Sequence, residues 1–180
     1  MKNVVDYLQA YDDEFIKEHL APTRLPMEVV CENITGDFNK SSVVRSAEGF
    51  NLAQVWIYGN KKWDRRGAVG AHNRINVGHR DSYDHFPQRL GSYRVVALDN
   101  VPGAVPIHTY TWEPKTILIV GEEQRGVSQR GLDIADDVVY IPMLGAVRSF
   151  NVASAASIAM YDYVNKTTGF KDDRDQDNSQ

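Results

Sequence analysis

Apolar residues recur along this chain in two periods, and their alternation lays out strands and helices in turn. Val4, Val5, Leu8, Tyr11, Phe15, Ile16 and Leu20 fall at helical spacing, and Pro22 and Pro26 close that stretch. Met27 to Cys31 is a short apolar run and reads as the first strand, followed by a loop over 32–38 that contains Gly36. A helix is expected from Asn39, a good N-cap residue, with Val43, Val44, Ala47 and Phe50 on its apolar face. Gln54 to Tyr58 and Tyr93 to Leu98 read as further strands, with a polar loop region between them and a short helix around Ser82 to Leu90. Ile117 to Val120 is continuously apolar, as a strand buried on both faces of a sheet should be. Gln129 to Ala135 suits a short helix, and Val138 to Ile141 another strand. The last helix starts near Asn151, with Val152, Ala155, Ala156, Ala159, Met160 and Tyr163 as its core stripe. Strands that alternate with helices imply an α/β fold with a mostly parallel sheet and helices on both faces.

The 180 residues fit one domain, and an apolar content of 42% is enough for a core. No apolar run approaches the ~18 residues of a membrane-spanning helix, and the N-terminus lacks a secretory apolar region. The single cysteine, Cys31, excludes an internal disulfide and suits a cytoplasmic compartment, where it is expected to be a small buried residue. The net charge of −4 weighs against a general nucleic-acid binder, but its distribution is uneven. Lys61, Lys62, Arg65, Arg66, Arg74 and Arg80 lie together in sequence against Asp64 alone, with Tyr58 and Trp63 interleaved. A local basic surface with aromatic rings can hold phosphate and stack bases despite an acidic whole. Residues 166–180 form an acidic segment, expected to be a disordered tail.

Two strands deliver glycine-bearing loops: Gly121-Glu122-Glu123-Gln124-Arg125-Gly126 after the buried run, and Pro142-Met143-Leu144-Gly145 after the next. In an open α/β sheet such loops lie at the carboxyl ends of strands, where ligands bind. The first loop lacks the Lys-Ser/Thr ending of a P-loop and the spacing of a dinucleotide fingerprint. No His or Cys pair has metal-ligand spacing, so no metal is expected.

Gly121 to Ser128 resembles the second motif of the SpoU (TrmH-like) class of SPOUT RNA methyltransferases. Ile141 to Gly145 with Ser149-Phe150-Asn151-Val152-Ala153 resembles the third, and Asn39 to Phe50, an Asn with an Arg six residues later, resembles the first. The resemblance covers roughly Met27 to Val164, with the motifs in the family's order. It implies a methyltransferase domain over 27–165, a helical N-terminal extension over 1–26 and the tail over 166–180. It further implies a deep C-terminal trefoil knot and a homodimer.

The activity so implied is methyl transfer from S-adenosyl-L-methionine to a ribose 2′-hydroxyl of RNA, with tRNA favoured over rRNA. Arg45, Asn39, Glu123, Ser149 and Asn151 match the catalytic positions. Leu98, Gly121, Ile141, Met143, Leu144 and Ser149 are the implied cofactor contacts, and Lys61, Lys62, Arg65, Arg66 and Arg74 the RNA surface. A guanidinium keeps its proton and has no acceptor, so Arg45 suits alkoxide stabilisation and phosphate binding better than formal base work. Plainer roles stand beside these: N-capping for Asn39, Ser149 and Asn151, and solvated surface for the basic run. An RNA-binding protein without activity and an unrelated nucleotide-binding α/β protein are the competing readings.

Overall fold

The computed structural model describes residues 2–59, 62–83 and 92–170. Among the described residues, seven parallel strands form one sheet: β1 (Leu25–Glu32), β2 (Leu52–Tyr58), β3 (Asn76–Arg80), β4 (Arg94–Leu98), β5 (Val105–Pro106), β6 (Thr116–Val120) and β7 (Asp137–Tyr140). Their order is β3-β2-β1-β6-β4-β7-β5. The continuously apolar run is β6, in the sheet centre, with Leu118 in register with Val29 of β1 and Val96 of β4. The helices are α1 (Asp13–Leu20), α2 (Asp37–Gly49), α3 (Ala71–Arg74), α4 (Gln129–Ile134) and α5 (Val152–Thr168).

The period of two along β1 sorts its side chains between two cores. Met27, Val29 and Cys31 pack with α2 and α5, through Val43, Val44 and Ala47 and through Ala156, Ala159 and Met160. Val30 faces the other layer with Ile117, Ile119, Val95 and Tyr83, partly covered by Leu132 and Ile134 of α4. Helices therefore lie on both faces, as expected. Ser46 and Ser157 hydroxyls join α2 to α5 at 2.8 Å. Cys31 is fully buried, and burial pushes its thiol up to about 12, so it acts as a small core residue.

Several elements depart from the sequence expectation. The first helix does not run from Val4. A 3₁₀ turn covers Asp6–Leu8, and α1 begins only at Asp13, where the Asp12 carboxylate accepts from the Phe15 N–H at 2.8 Å. That cap signal outweighs the apolar period, and Val5, Tyr7, Tyr11 and Phe15 stay exposed. α2 starts at Asp37 with Gly36 before it, so Asn39 lies in the first turn and is not the N-cap. The basic region after β2, expected as loop, contains α3 and edge strand β3, whose sequence Asn-Val-Gly-His-Arg carries little apolar signal. Two-residue β5 was also missed, at the opposite edge. α5 runs through Thr168, three residues into the expected tail, and Lys166 donates from there to the carbonyls of Ile107 and Tyr110. The expected helix at Ser82 to Leu90 falls almost wholly outside the described residues, as does the tail from 171. Among the described residues no helix is long and apolar enough to cross a membrane.

Candidate active site

The carboxyl ends of β4, β6 and β7 open onto a cleft of about 680 Å³. Its floor and walls include Leu98 at the end of β4, Gly121 directly after β6, and Ile141 and Met143 after β7. Ser149 stands at its side, and Glu123 on the glycine-bearing loop also lines it. Apolar walls with a few convergent polar groups are what a small-molecule site needs. Gly121 has to be glycine: a Cβ there would come within 2.1 Å of the Gly126 carbonyl group. The loop closes on itself through paired bonds between Glu122 and Gly126 at 2.9 and 2.8 Å, which brings those backbones together.

Glu123 links the three sequence-predicted segments. Its Oε1 accepts from the Asn39 Nδ2 at 2.7 Å and from the Gly36 N–H at 3.1 Å. Its Oε2 accepts from the Thr35 N–H at 3.2 Å and the Thr35 hydroxyl at 3.1 Å. Asn39 in turn accepts at Oδ1 from the Asn151 Nδ2 at 3.0 Å. Asn151 caps α5 with its other atom, accepting from the Ala153 and Ser154 N–H groups at 3.0 and 3.3 Å. One asparagine therefore both caps a helix and joins the site. Partial burial alone would raise the Glu123 carboxyl, but the donors from Asn39, Thr35 and Gly36 outweigh it and hold the group down at about 2. It is an anion that receives hydrogen bonds, not a proton donor near neutral pH.

Other predicted residues lie elsewhere. Arg45 is exposed on α2, does not line the cleft of its own chain, and forms no hydrogen bond or ion pair with a described residue. Leu144 does not wall the cleft either. Its side chain is fully exposed, while Val147 and Phe150 of the same loop are partly exposed at the cleft.

Arg74 is not a surface cation: at 2% exposure it is held by Glu48 at 3.1 Å, Asp13 at 3.2 Å and the Asn3 carbonyl at 3.2 Å. Its sequence neighbours suggested a patch, while its contacts make it the pin between the N-terminal segment, α2 and α3. Arg66 is exposed and forked onto Asp64, and Arg65 lies 5.8 Å from the Trp63 ring centroid. Lys62 offers its carbonyl to the buried Lys40 ammonium at 2.6 Å. Lys61 lies outside the described residues. Tyr58 is buried against Tyr83, with ring centroids 4.7 Å apart, and is no free stacking platform.

Sequence reasoning missed Arg125 and Arg148 at the cleft, and Thr35, Glu32 and Asp99 among the groups that hold its loops. Asp99 carried a usable signal, a carboxylate directly after a buried strand at the ligand-binding end of the sheet. Thr35 and Glu32 become visible only once strands remote in sequence lie side by side.

The fold and cleft define a parallel α/β protein with a ligand site at the carboxyl ends of its strands, where three motif segments meet. The chain belongs to the SpoU rRNA Methylase family, whose sequence model matches residues 26–161. It is 26% identical over 152 residues to the tRNA (guanosine(18)-2′-O)-methyltransferase of Escherichia coli K12, covering 82% of this chain and 66% of that enzyme. The chain thus spans just under two thirds of that relative's length. It is also 26% identical over 156 residues to the enzyme of the same name from Aquifex aeolicus, covering 82% and 72%. Among solved structures, the A. aeolicus TrmH/SpoU tRNA modifying enzyme superposes with a TM-score of 0.77 at 24% identity, over 86% of this chain and 81% of that one. The SpoU methyltransferase AviRb from Streptomyces viridochromogenes, in complex with AdoMet, gives 0.73 at 22%, over 82% and 60%.

Proposed function

We propose that this chain transfers a methyl group from S-adenosyl-L-methionine to a ribose 2′-hydroxyl of tRNA. The observation that carries the reading is the hydrogen-bonded line Thr35–Glu123–Asn39–Asn151, which brings the three family motifs together beside one cleft. The cleft fits the cofactor: its volume lies within the roughly 300–1,000 Å³ of ligand pockets, and Leu98, Ile141 and Met143 would wall the adenosyl group. The bare backbone at Gly121 would allow close approach, with Ser149 at the side. S-adenosyl-L-methionine supplies an electrophilic methyl on a sulfonium, whose departing sulfur needs neither an acid nor a metal.

The difficulty left to the protein is the hydroxyl, a poor nucleophile until its proton is lost. Arg45 stabilises the developing alkoxide and holds the adjacent phosphate, and the proton leaves to a phosphate oxygen or to water. Glu123, Asn39 and Asn151 keep α2, the glycine-bearing loop and the start of α5 in mutual register. Arg45 acts across a homodimer, on the cleft of the partner subunit. Its exposure, its lack of partners among the described residues of its own chain and the apolar side chains of Leu144, Val147 and Phe150 left exposed beside the cleft support this. The family resemblance supports a trefoil knot in the C-terminal part, a methyltransferase domain from Met27 and the cytoplasm as workplace. Lys62, Arg65 and Arg66, with Arg125 and Arg148 at the cleft, form the RNA surface.

The test is transfer from labelled S-adenosyl-L-methionine to total tRNA and, separately, to rRNA, followed by digestion to nucleosides, with Arg45→Ala as control. Label in one 2′-O-methylated nucleoside of tRNA, lost in the variant, is the expected result. Label in the rRNA pool alone would transfer the assignment to rRNA, which the family's own description favours. Cofactor binding without label in either pool would refute the activity and leave an RNA-binding protein.

A further inference from the structure

The glycine-bearing loop that floors the cleft is held in place by carboxylates that lie outside all three motifs. Asp99, the residue after β4, lines the cleft. Its Oδ2 accepts from the Val127 N–H at 2.8 Å, and its Oδ1 from the Asn100 N–H at 2.7 Å. Glu32, the last residue of β1 and only 4% exposed, accepts from the Ser128 N–H at 2.9 Å and from the Ser128 hydroxyl. The end of the loop is thus tied to two different strands.

The geometry passes directly to the floor. Gly126 has φ +71°, and a Cβ there would come within 2.3 Å of Asp99 Oδ2, so the carboxylate occupies the space that glycine leaves. Gly126 also backs onto Gly121, where a Cβ would meet it at 2.1 Å. Asp99 therefore presses and bonds the stretch of backbone against which Gly121 rests. Without this anion, two backbone N–H groups would lose their charged acceptor, and the loop would lean on its own Glu122–Gly126 bridge and the more distant ties of Glu32 and Glu123.

We propose that Asp99 is a positioning residue for the cofactor: it sets the height of the cleft floor by holding Val127 and Gly126, with Glu32 as a second anchor at Ser128. This deepens the methyltransferase reading and rests on it. The experiment compares Asp99→Ala and Asp99→Asn with the unsubstituted chain in three measurements: calorimetric affinity for S-adenosyl-L-methionine, KM for cofactor and for tRNA, and amide exchange at Val127. Asp99→Ala is expected to weaken cofactor binding about tenfold or more, to leave the KM for tRNA within about twofold, and to speed exchange at Val127. Asp99→Asn is expected to fall between, because its amide keeps one acceptor oxygen; it carries the same comparison if the alanine variant fails to fold. Unchanged protection at Val127 together with unchanged cofactor affinity would overturn the proposal. An equal rise in both KM values with a general loss of stability would overturn it as well, since that marks a structural role only. If the unsubstituted chain binds no S-adenosyl-L-methionine, the functional reading fails, and exchange at Val127 alone decides whether Asp99 holds the loop.

Discussion

Glu123→Gln is the substitution whose effect follows most directly from the geometry. The carboxylate accepts four hydrogen bonds, from Asn39, Gly36 and both donors of Thr35. A glutamine keeps one acceptor oxygen, but its NH₂ would then face backbone or amide N–H donors, with the Thr35 hydroxyl alone among the four able to turn and accept. The ordinary carboxyl value of 4.5 falls to about 2 in the folded chain. At about 1.4 kcal/mol per tenfold change in proton affinity, that difference caps the contribution at about 3 kcal/mol. The group is only partly buried, and solvent screening reduces the figure to about 1–2 kcal/mol.

The direction with pH follows from linkage. The folded value lies below the unfolded one, so the unfolded chain binds the proton more readily. The stabilisation is then complete above about 4.5 and is lost as pH falls toward about 2. The assay is urea unfolding of the wild type and Glu123→Gln from pH 6.5 to 2.5. The difference between the two proteins should be about 1–2 kcal/mol at pH 6.5 and should shrink by more than half by about pH 3. Taking the difference cancels the other carboxylates, which titrate in both proteins. A difference that stays constant across the range would refute the reasoning, because it would show that the charge on Glu123 is not what the four donors stabilise.

Two further expectations separate structural from functional arginines. Arg74→Ala should cost about 3 kcal/mol in thermal or urea unfolding, because it strips a buried guanidinium from Glu48 and Asp13. Arg65→Ala should instead leave unfolding nearly unchanged while lowering the salt slope of tRNA binding by about 1; the reverse pattern would show that burial misassigns the two. If Arg45 serves the partner's cleft, an Arg45→Ala protomer paired with an Asn151→Ala protomer should recover part of the activity that either homodimer lacks. No recovery in verified heterodimers would place Arg45 in its own subunit's site.

The contrast between Arg74 and Arg45 also shows what the chain reveals by itself. Arg74 is assigned to a surface by the charges near it in sequence, Arg45 to the site by its motif. Arg45 keeps its candidacy because the Asn–Arg spacing of its motif is a local pattern. Arg74 lost its candidacy because its partners Asp13 and Glu48 lie 61 and 26 residues away, and charge counting within a window cannot see them. The same distinction runs through the fold. β6 was legible because burial on both faces requires an unbroken apolar run, whereas edge strand β3 needs no such run and carries Gly78 and His79. Asn39 was legible as a site residue, and its N-cap reading fails. An N-cap is a local event, but its actual partners are Glu123, 84 residues on, and Asn151, 112 residues on.

Those long-range partners share one physical feature, and it accounts for the form of the site. Backbone N–H groups buried beneath a loop need acceptors. Here the acceptors that complete the floor are carboxylates at strand ends: Asp99 after β4 takes Val127, and Glu32 ending β1 takes Ser128. Glu123 does the converse, reaching from the loop to the N–H groups of Thr35 and Gly36 before α2. Glycine at 121 and 126 provides the close approach, and the carboxylates determine where that approach occurs. A glycine-bearing loop on a different set of strand ends would keep the motif but not this floor. Cofactor affinity in this chain should therefore respond to Asp99 and Glu32, residues that no motif includes.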